Sequence, residues 1–315
     1  SFDIYPAAIV ENIIINKTFI PEYSAEWAGG LIQVNTRDIP AKNFLSVQFG
    51  LNGNTNTLGK DFYSYKGGRL DWLGFDDGTR ALPSAFPTKY KYGALSESEK
   101  TELGKDIASG SWAANKNNSF TGTIGQNFQV NGGFTTKLFK KDLGGVIAIT
   151  YNRSIRNLEF DNRFFTINNQ NAESVFDYDN NKYAQDILWG ALGNFSLKLD
   201  NNNKITWRNM LNVNTSDFTT MREGYDLDVS SSATGERVKA IELGFRNNTF
   251  FNTQLNGEHN FASLKSKLNW YGSFTILDQY VPQQRRIQYN QAADHADAPF
   301  LALLSNTLSQ KTGSV

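Results

Sequence analysis

From Phe120 to Leu138 the even positions read Phe, Gly, Ile, Gln, Phe, Val, Gly, Phe, Thr and Leu, while the odd positions between them hold only Thr, Gly, Asn, Gln and Lys. Alternation with period two places one set of side chains on each side of a strand, so this stretch predicts a strand with one apolar and one wet face. The pattern recurs. Leu45, Val47, Phe49 and Leu51 alternate with Ser46, Gln48 and Asn52, and Ile147, Ile149 and Tyr151 form a third row. Ile187 to Leu199, Ile205 to Val213, Ile241 to Phe261 and Leu264 to Ile276 carry the rest, each facing Asn, Thr, Lys, Arg or Glu. Seven strands are expected.

A soluble β-sandwich also alternates, but its strands usually run about 5–6 residues. Here several alternations persist well beyond that, and the polar row carries full charges. A strand crossing a bilayer needs ~9–11 residues, apolar toward lipid and polar toward a lumen. The expected fold is therefore all-β, a transmembrane antiparallel β-barrel. Connections after Phe139 (Lys140 to Gly144), after Leu199 (Asp200 to Asn203) and after Phe261 (Ala262-Ser263) are short. The opposite ends carry long links at Asn54 to Asn118, Asn157 to Tyr183, Met221 to Arg237 and beyond Tyr289. In outer-membrane barrels the short turns are periplasmic and the long loops extracellular. Such barrels in bacteria have even strand numbers, so seven strands predict part of a longer barrel.

Composition narrows the chemistry more than it names it. Lys+Arg 31 against Asp+Glu 31 leaves a net charge of +0, which gives no field to attract nucleic acid. With Cys 0 and His 2, thiol nucleophiles, disulfides and Cys/His metal clusters are excluded. No stretch reaches the ~18 apolar residues of a membrane helix. Ser1 to Pro6 shows no signal-peptide pattern, so the chain either is cytoplasmic or begins downstream of its signal.

Glu11 to Lys17 reads as a short strand, and Gly29-Gly30 leads as a turn into Leu31 to Arg37. Together with Tyr23 and Trp27, this segment resembles the C-terminal end of the plug of a TonB-dependent receptor, with a barrel strand directly after it. Tyr65-Lys-Gly-Gly-Arg-Leu-Asp-Trp-Leu-Gly-Phe-Asp-Asp-Gly-Thr-Arg-Ala-Leu-Pro83 likewise resembles a loop of Bacteroidetes members of that family. The resemblance covers the whole chain and implies two parts: 1–40, the C-terminal part of a plug domain, and 41–315, about the first seven strands of a barrel of about 22. It implies an outer-membrane importer of a scarce nutrient (siderophore, glycan or peptide), driven by the TonB complex through a segment outside this chain. Outer-membrane lipid and a surface lipoprotein lid or other outer-membrane subunits are the partners it brings with it. The plug-motif residues are Tyr23, Trp27, Gly29, Gly30 and Arg37, with Glu26 and Arg37 as candidates for plug-to-barrel ion pairs.

Trp72, Phe75, Tyr90 and Tyr92 in the first long loop are the candidate ligand-stacking residues; anchoring of the loop or a membrane-interface position explains them equally well. Asp71, Asp76 and Asp77, and Asp177 to Asn181, have carboxylate spacing reminiscent of calcium loops but lack a complete ligand set, so no metal site is expected. His259 and His295 read as structural or surface residues. Ser230 to Ser232 has no adjacent base, and neither a catalytic centre nor a cofactor is expected. Asp297 is a candidate cap for a short helix through Phe300 to Leu304. Two other functions stay open at this stage: a scaffold subunit of an outer-membrane assembly, and a soluble β-sheet binding protein.

Overall fold

The computed structural model describes residues 10–19, 29–36, 39–81, 86–108, 114–117, 121–168, 171–227, 235–282, 284–292, 297–302 and 308–309. The fold is all-β. A hairpin of β1 (Val10–Asn16) and β2 (Leu31–Thr36) comes first, with Gly29 at φ +94° before its second strand. Tyr23, Trp27 and Arg37 lie outside the described residues. The main sheet is an antiparallel meander of β3 (Phe44–Asn52), β6 (Gly125–Leu138), β7 (Lys141–Asn168), β8 (Asn171–Lys198), β9 (Asn203–Asp226) and β10 (Glu236–Phe261). The far side of β10 pairs with β11 (Ser266–Tyr280) and β12 (Gln284–Ala292). Between β3 and β6 stand the small pair β4 (Phe62–Ser64) and β5 (Asn115–Asn117) and two helices, α1 (Lys89–Gly93) and α2 (Glu97–Ala108).

All seven strands read from the alternation are present, in sequence order. β11 and β12 follow one course along β10, and the register shifts by one residue between Tyr280 and Gln284, the stretch that holds Pro282. Proline has no N–H for a ladder, so a bulge is where it fits. The turn between β6 and β7 is two residues, Phe139 and Lys140, both at positive φ (50° and 64°), the twist that a tight hairpin requires.

The expected loop at Asn157 to Tyr183 is strand instead, and strand extends into both ends of the one at Met221 to Arg237. β7 and β8 pair without a gap from Asp142↔Lys198 past Asn157↔Tyr183 to Asn168↔Asn171, with one bulge at Phe164/Phe165. Asp177 to Asn181 is part of this ladder, where Asp177 accepts a hydrogen bond from Arg163 Nε at 2.8 Å. β9 and β10 similarly pair up to Asp226↔Glu236. On β7, over residues 158–167, both rows of side chains are exposed, and a side-chain pattern marks a strand only where its two environments differ. Near the end of the chain, Leu301–Ala302 forms β13 against Tyr289 and Asn290, and Leu308–Ser309 forms β14 against β12. The helix expected after Asp297 is thus replaced at Leu301 by strand pairing.

The two faces of the sheet are covered in the opposite sense to a soluble sandwich. Small and polar side chains on one face are buried: Val146, Ala148, Thr150, Asn131, Asn194, Ser196 and Thr206. Ile39 and Pro40, which follow the first hairpin, approach this face at Gly144 and Gly133 so closely that a Cβ there would stand 2.7 and 3.0 Å from their side chains. On the other face Leu45, Val47, Phe49, Leu51, Ile147, Ile149, Trp207, Leu211, Leu255, Trp270, Phe274 and Ile276 are exposed. On β11 this apolar band runs from Leu268 to Ile276, about the length of a single bilayer crossing. Beyond it the strands continue. At ~3.3 Å per residue, the 28 residues of β7 reach roughly 90 Å.

Candidate functional site

On the same face as the apolar band, directly above it, the segment Phe62 to Ala81 lies across the strands. It is organised around Arg80, whose side chain is 1% exposed. The guanidinium donates two hydrogen bonds to Asp71, at 2.7 and 2.6 Å, one to Asp76 at 3.3 Å and one to Asp217 of β9 at 3.2 Å. Its Nε donates to Tyr65 Oη at 2.9 Å, and its plane lies 4.3 Å from the Phe245 ring centroid of β10. A fork-shaped cation among three carboxylates and two aromatic faces is well matched to arginine and poorly to lysine.

The glycines of the segment follow from this centre. A Cβ on Gly67 would stand 1.8 Å from Asp71 Oδ2 and 2.4 Å from an Arg80 nitrogen. Gly74 closes the short 3₁₀ turn Asp71–Leu73 at φ +80°. Asp77 is occupied locally: it accepts from Thr79 Oγ1 at 2.5 Å and from Arg69 N at 2.9 Å, and these bonds hold its carboxyl down at about 2. The three aspartates of the segment are therefore engaged by Arg80 or by the turn itself.

Electrostatics at the clamp are asymmetric. Burial, opposed by the Arg80 charge and reinforced by that of Asp71, raises the Asp217 carboxyl to about 6. Burial, then the Asp217 charge, pushes the Tyr65 phenol up. Burial works against the charge on Arg80, but the hydrogen bonds to Asp71 and the carboxylate charges of Asp217 and Asp71 outweigh it and its pKa rises. The guanidinium stays charged.

The backbone of the 3₁₀ turn is hung on successive strands. Tyr151 Oη of β7 donates to Trp72 O at 2.6 Å, Trp189 Nε1 of β8 to Leu73 O at 2.7 Å, Thr215 Oγ1 of β9 to Gly74 O at 2.6 Å and Asn247 Nδ2 of β10 to the same oxygen at 3.0 Å. Above the clamp, Phe62 packs edge-on against Tyr183 at 5.5 Å, in a cluster with Ile155, Tyr63 and Met221. A cavity of about 130 Å³ remains between β4 and the sheet, lined by Tyr65, Arg153, Gln185, Asp217 and Thr219, among others.

Of the four candidate ligand-stacking residues, Trp72 and Phe75 sit on this turn, 58% and 41% exposed. Tyr90 and Tyr92 sit on α1, where Tyr92 stacks on Phe86 at 5.9 Å. Among the described residues no ring contact or hydrogen bond joins the two pairs. Arg80, Asp217 and Phe245 were not singled out by the sequence; the run Gly-Gly, Asp71, Asp76, Arg80 was its only signal, and Asp217 is 137 positions from Arg80. His259 is structural: its Nε2 accepts from Trp270 Nε1 at 3.1 Å, which leaves Nδ1 to donate to Asn203 Oδ1 at 2.7 Å. His295 and Ser230 to Ser232 lie outside the described residues. Comparison with protein-family models, curated proteins and solved structures found no match.

Proposed function

We propose that this sheet is the wall of an outer-membrane β-barrel that imports a scarce nutrient, with energy delivered by TonB to a plug whose last part is the segment 1–40. The observation that carries the reading is the exposed apolar band. It is exposed on β3, β6, β7, β9, β10 and β11 and continues through the partly exposed Phe195 and Leu197 of β8, while small and polar side chains of the opposite face are buried. Water would penalise such a band and lipid would not. The polar face, approached by Ile39 and Pro40, is then the lumen. The edges at β3 and β11 need further strands to satisfy their backbone groups in hydrocarbon.

The chain has Cys 0, so single cysteines report without background. In lipid, a cysteine at Leu211 is expected to resist a charged maleimide, while one at Lys137, at the lower end of the polar row, reacts. Equal reaction at both sinks the barrel. Import is tested by tethering the plug: a cysteine at Trp27 crosslinked to one on the polar face should stop nutrient uptake reversibly. Unchanged uptake in the crosslinked protein would leave a scaffold subunit as the function.

A further inference from the structure

We infer that the outward side of the segment Lys66 to Phe75 is a bilayer-interface contact, a collar folded down onto the outside of the wall where it meets lipid headgroups. The inference rests on the barrel reading above. Its geometry is independent of the family resemblance. Tyr151 and Trp189 lie on the same rows as the exposed Ile149 and Ile147 of β7 and as Ala191 of β8, one rung higher. Amphipathic aromatics at that height normally direct an O–H or N–H to headgroups and water. Here they donate instead to the carbonyls of Trp72 and Leu73, so this turn occupies the place of the headgroup layer.

What the turn presents outward is suited to that place. Leu70 and Phe75 are 42% and 41% exposed, Trp72 more so, and next to them stand the exposed cations Lys66 and Arg69. Apolar and indole groups beside long cationic side chains match the boundary between acyl chains and phosphates, with the apolar stems in the boundary and the charged ends among the phosphates. The segment is rigid enough to hold that position. Its carbonyls are bound by four successive strands and its one acidic residue, Asp71, by Arg80. This placement separates Trp72 and Phe75 from the lumen, so any ligand moving through the barrel meets other residues.

The test uses single-cysteine spin labels at Leu70, Phe75, Leu211 and Tyr90 of the full chain, reconstituted in phosphatidylglycerol-containing bilayers, with collision rates read for oxygen and a neutral nickel chelate. Leu211 is expected to favour oxygen strongly and Tyr90 to favour nickel. Leu70 and Phe75 are expected between them, with an oxygen-to-nickel ratio several-fold above that of Tyr90. Adding Arg80→Met to the Phe75 label should drop its ratio to the Tyr90 value. If Leu70 and Phe75 read as Tyr90 does, or are reached by neither reagent, while Leu211 stays deep, the collar is wrong and the barrel stands. A water-like Leu211 overturns the barrel reading itself.

Discussion

Arg80 shows how much one side chain decides. Its guanidinium neutralises carboxylates from two places in the chain, the segment Asp71 to Asp76 and Asp217 on β9. Removing one partner of a buried ion group leaves the others uncompensated, at about 3–5 kcal/mol. Arg80→Met should therefore destabilise by about that amount in denaturant unfolding from lipid, whereas Arg69→Met, at an exposed side chain 3.9 Å from Asp77, should change it by less than about 1 kcal/mol. Asp217 adds a pH dependence. Its carboxyl is raised to about 6 in the folded state, above the ordinary carboxylate value, so the fold holds its proton more tightly than the unfolded chain. That contribution is complete below the ordinary value and is lost as pH rises through about 6. Hydrogen exchange of Phe62 to Tyr65, corrected for intrinsic rate, should accordingly show stronger protection at pH 5 than at pH 7, and Asp217→Asn should flatten the difference. Slower exchange at the higher pH would refute the assignment.

At the scale of elements, the strands divide into a lower part with a bilayer signature and an upper part without one. In the lower part the exposed row must be apolar if lipid covers it, so Leu211→Arg near mid-band should cost about 2–4 kcal/mol in lipid, and Lys137→Ser almost nothing. Equal, small effects would mean that water bathes both. In the upper part the ladder of β7 with β8 runs on through Leu158, Phe160, Phe164 and Ile167, all exposed, in a stretch the sequence suggested was a loop. Replacing Leu158 to Asn181 by a two-residue turn should leave membrane insertion intact, since the band lies wholly below it; heat-modifiable gel mobility reads the result. The helix α2 carries its start signal in the sequence. Ser96-Glu-Ser-Glu99 is a capping box, in which Glu99 Oε2 accepts from Ser96 N at 2.8 Å and Ser96 Oγ accepts from Glu99 N at 3.3 Å. The hydrogen bond that Ser96 Oγ donates to Glu99 Oε2 at 2.6 Å, and then the one from Ser96 N, hold the Glu99 carboxyl below its usual value.

The whole molecule joins a sheet, a segment that folds onto its apolar side and a hairpin leading to its polar side. Epitope tags inserted between Ser109 and Gly110 and at Asn202 should be reached from opposite sides of the membrane, because they follow opposite ends of the strands; staining of the Asn202 tag on intact cells would refute the orientation. The sequence by itself determined the seven long strands, their order and the face each residue takes, because an exposed apolar row on one side and a buried row of small and polar side chains on the other impose period two on the chain. It also determined the tight turns, where two strands must reverse within a few residues. Only the tertiary structure decided what happens where that asymmetry stops: that β7 and β8 continue as strands, that Pro282 marks a bulge and not an end, and that Leu301 pairs in place of starting a helix. It alone placed Trp72 and Phe75 on the apolar side of the sheet, since the carbonyls and carboxylates that fix them there are satisfied by Tyr151, Trp189, Thr215 and Arg80. Hydrogen bonds between groups far apart in the chain leave no periodicity to read, and their partners become known only when the strands have set them side by side.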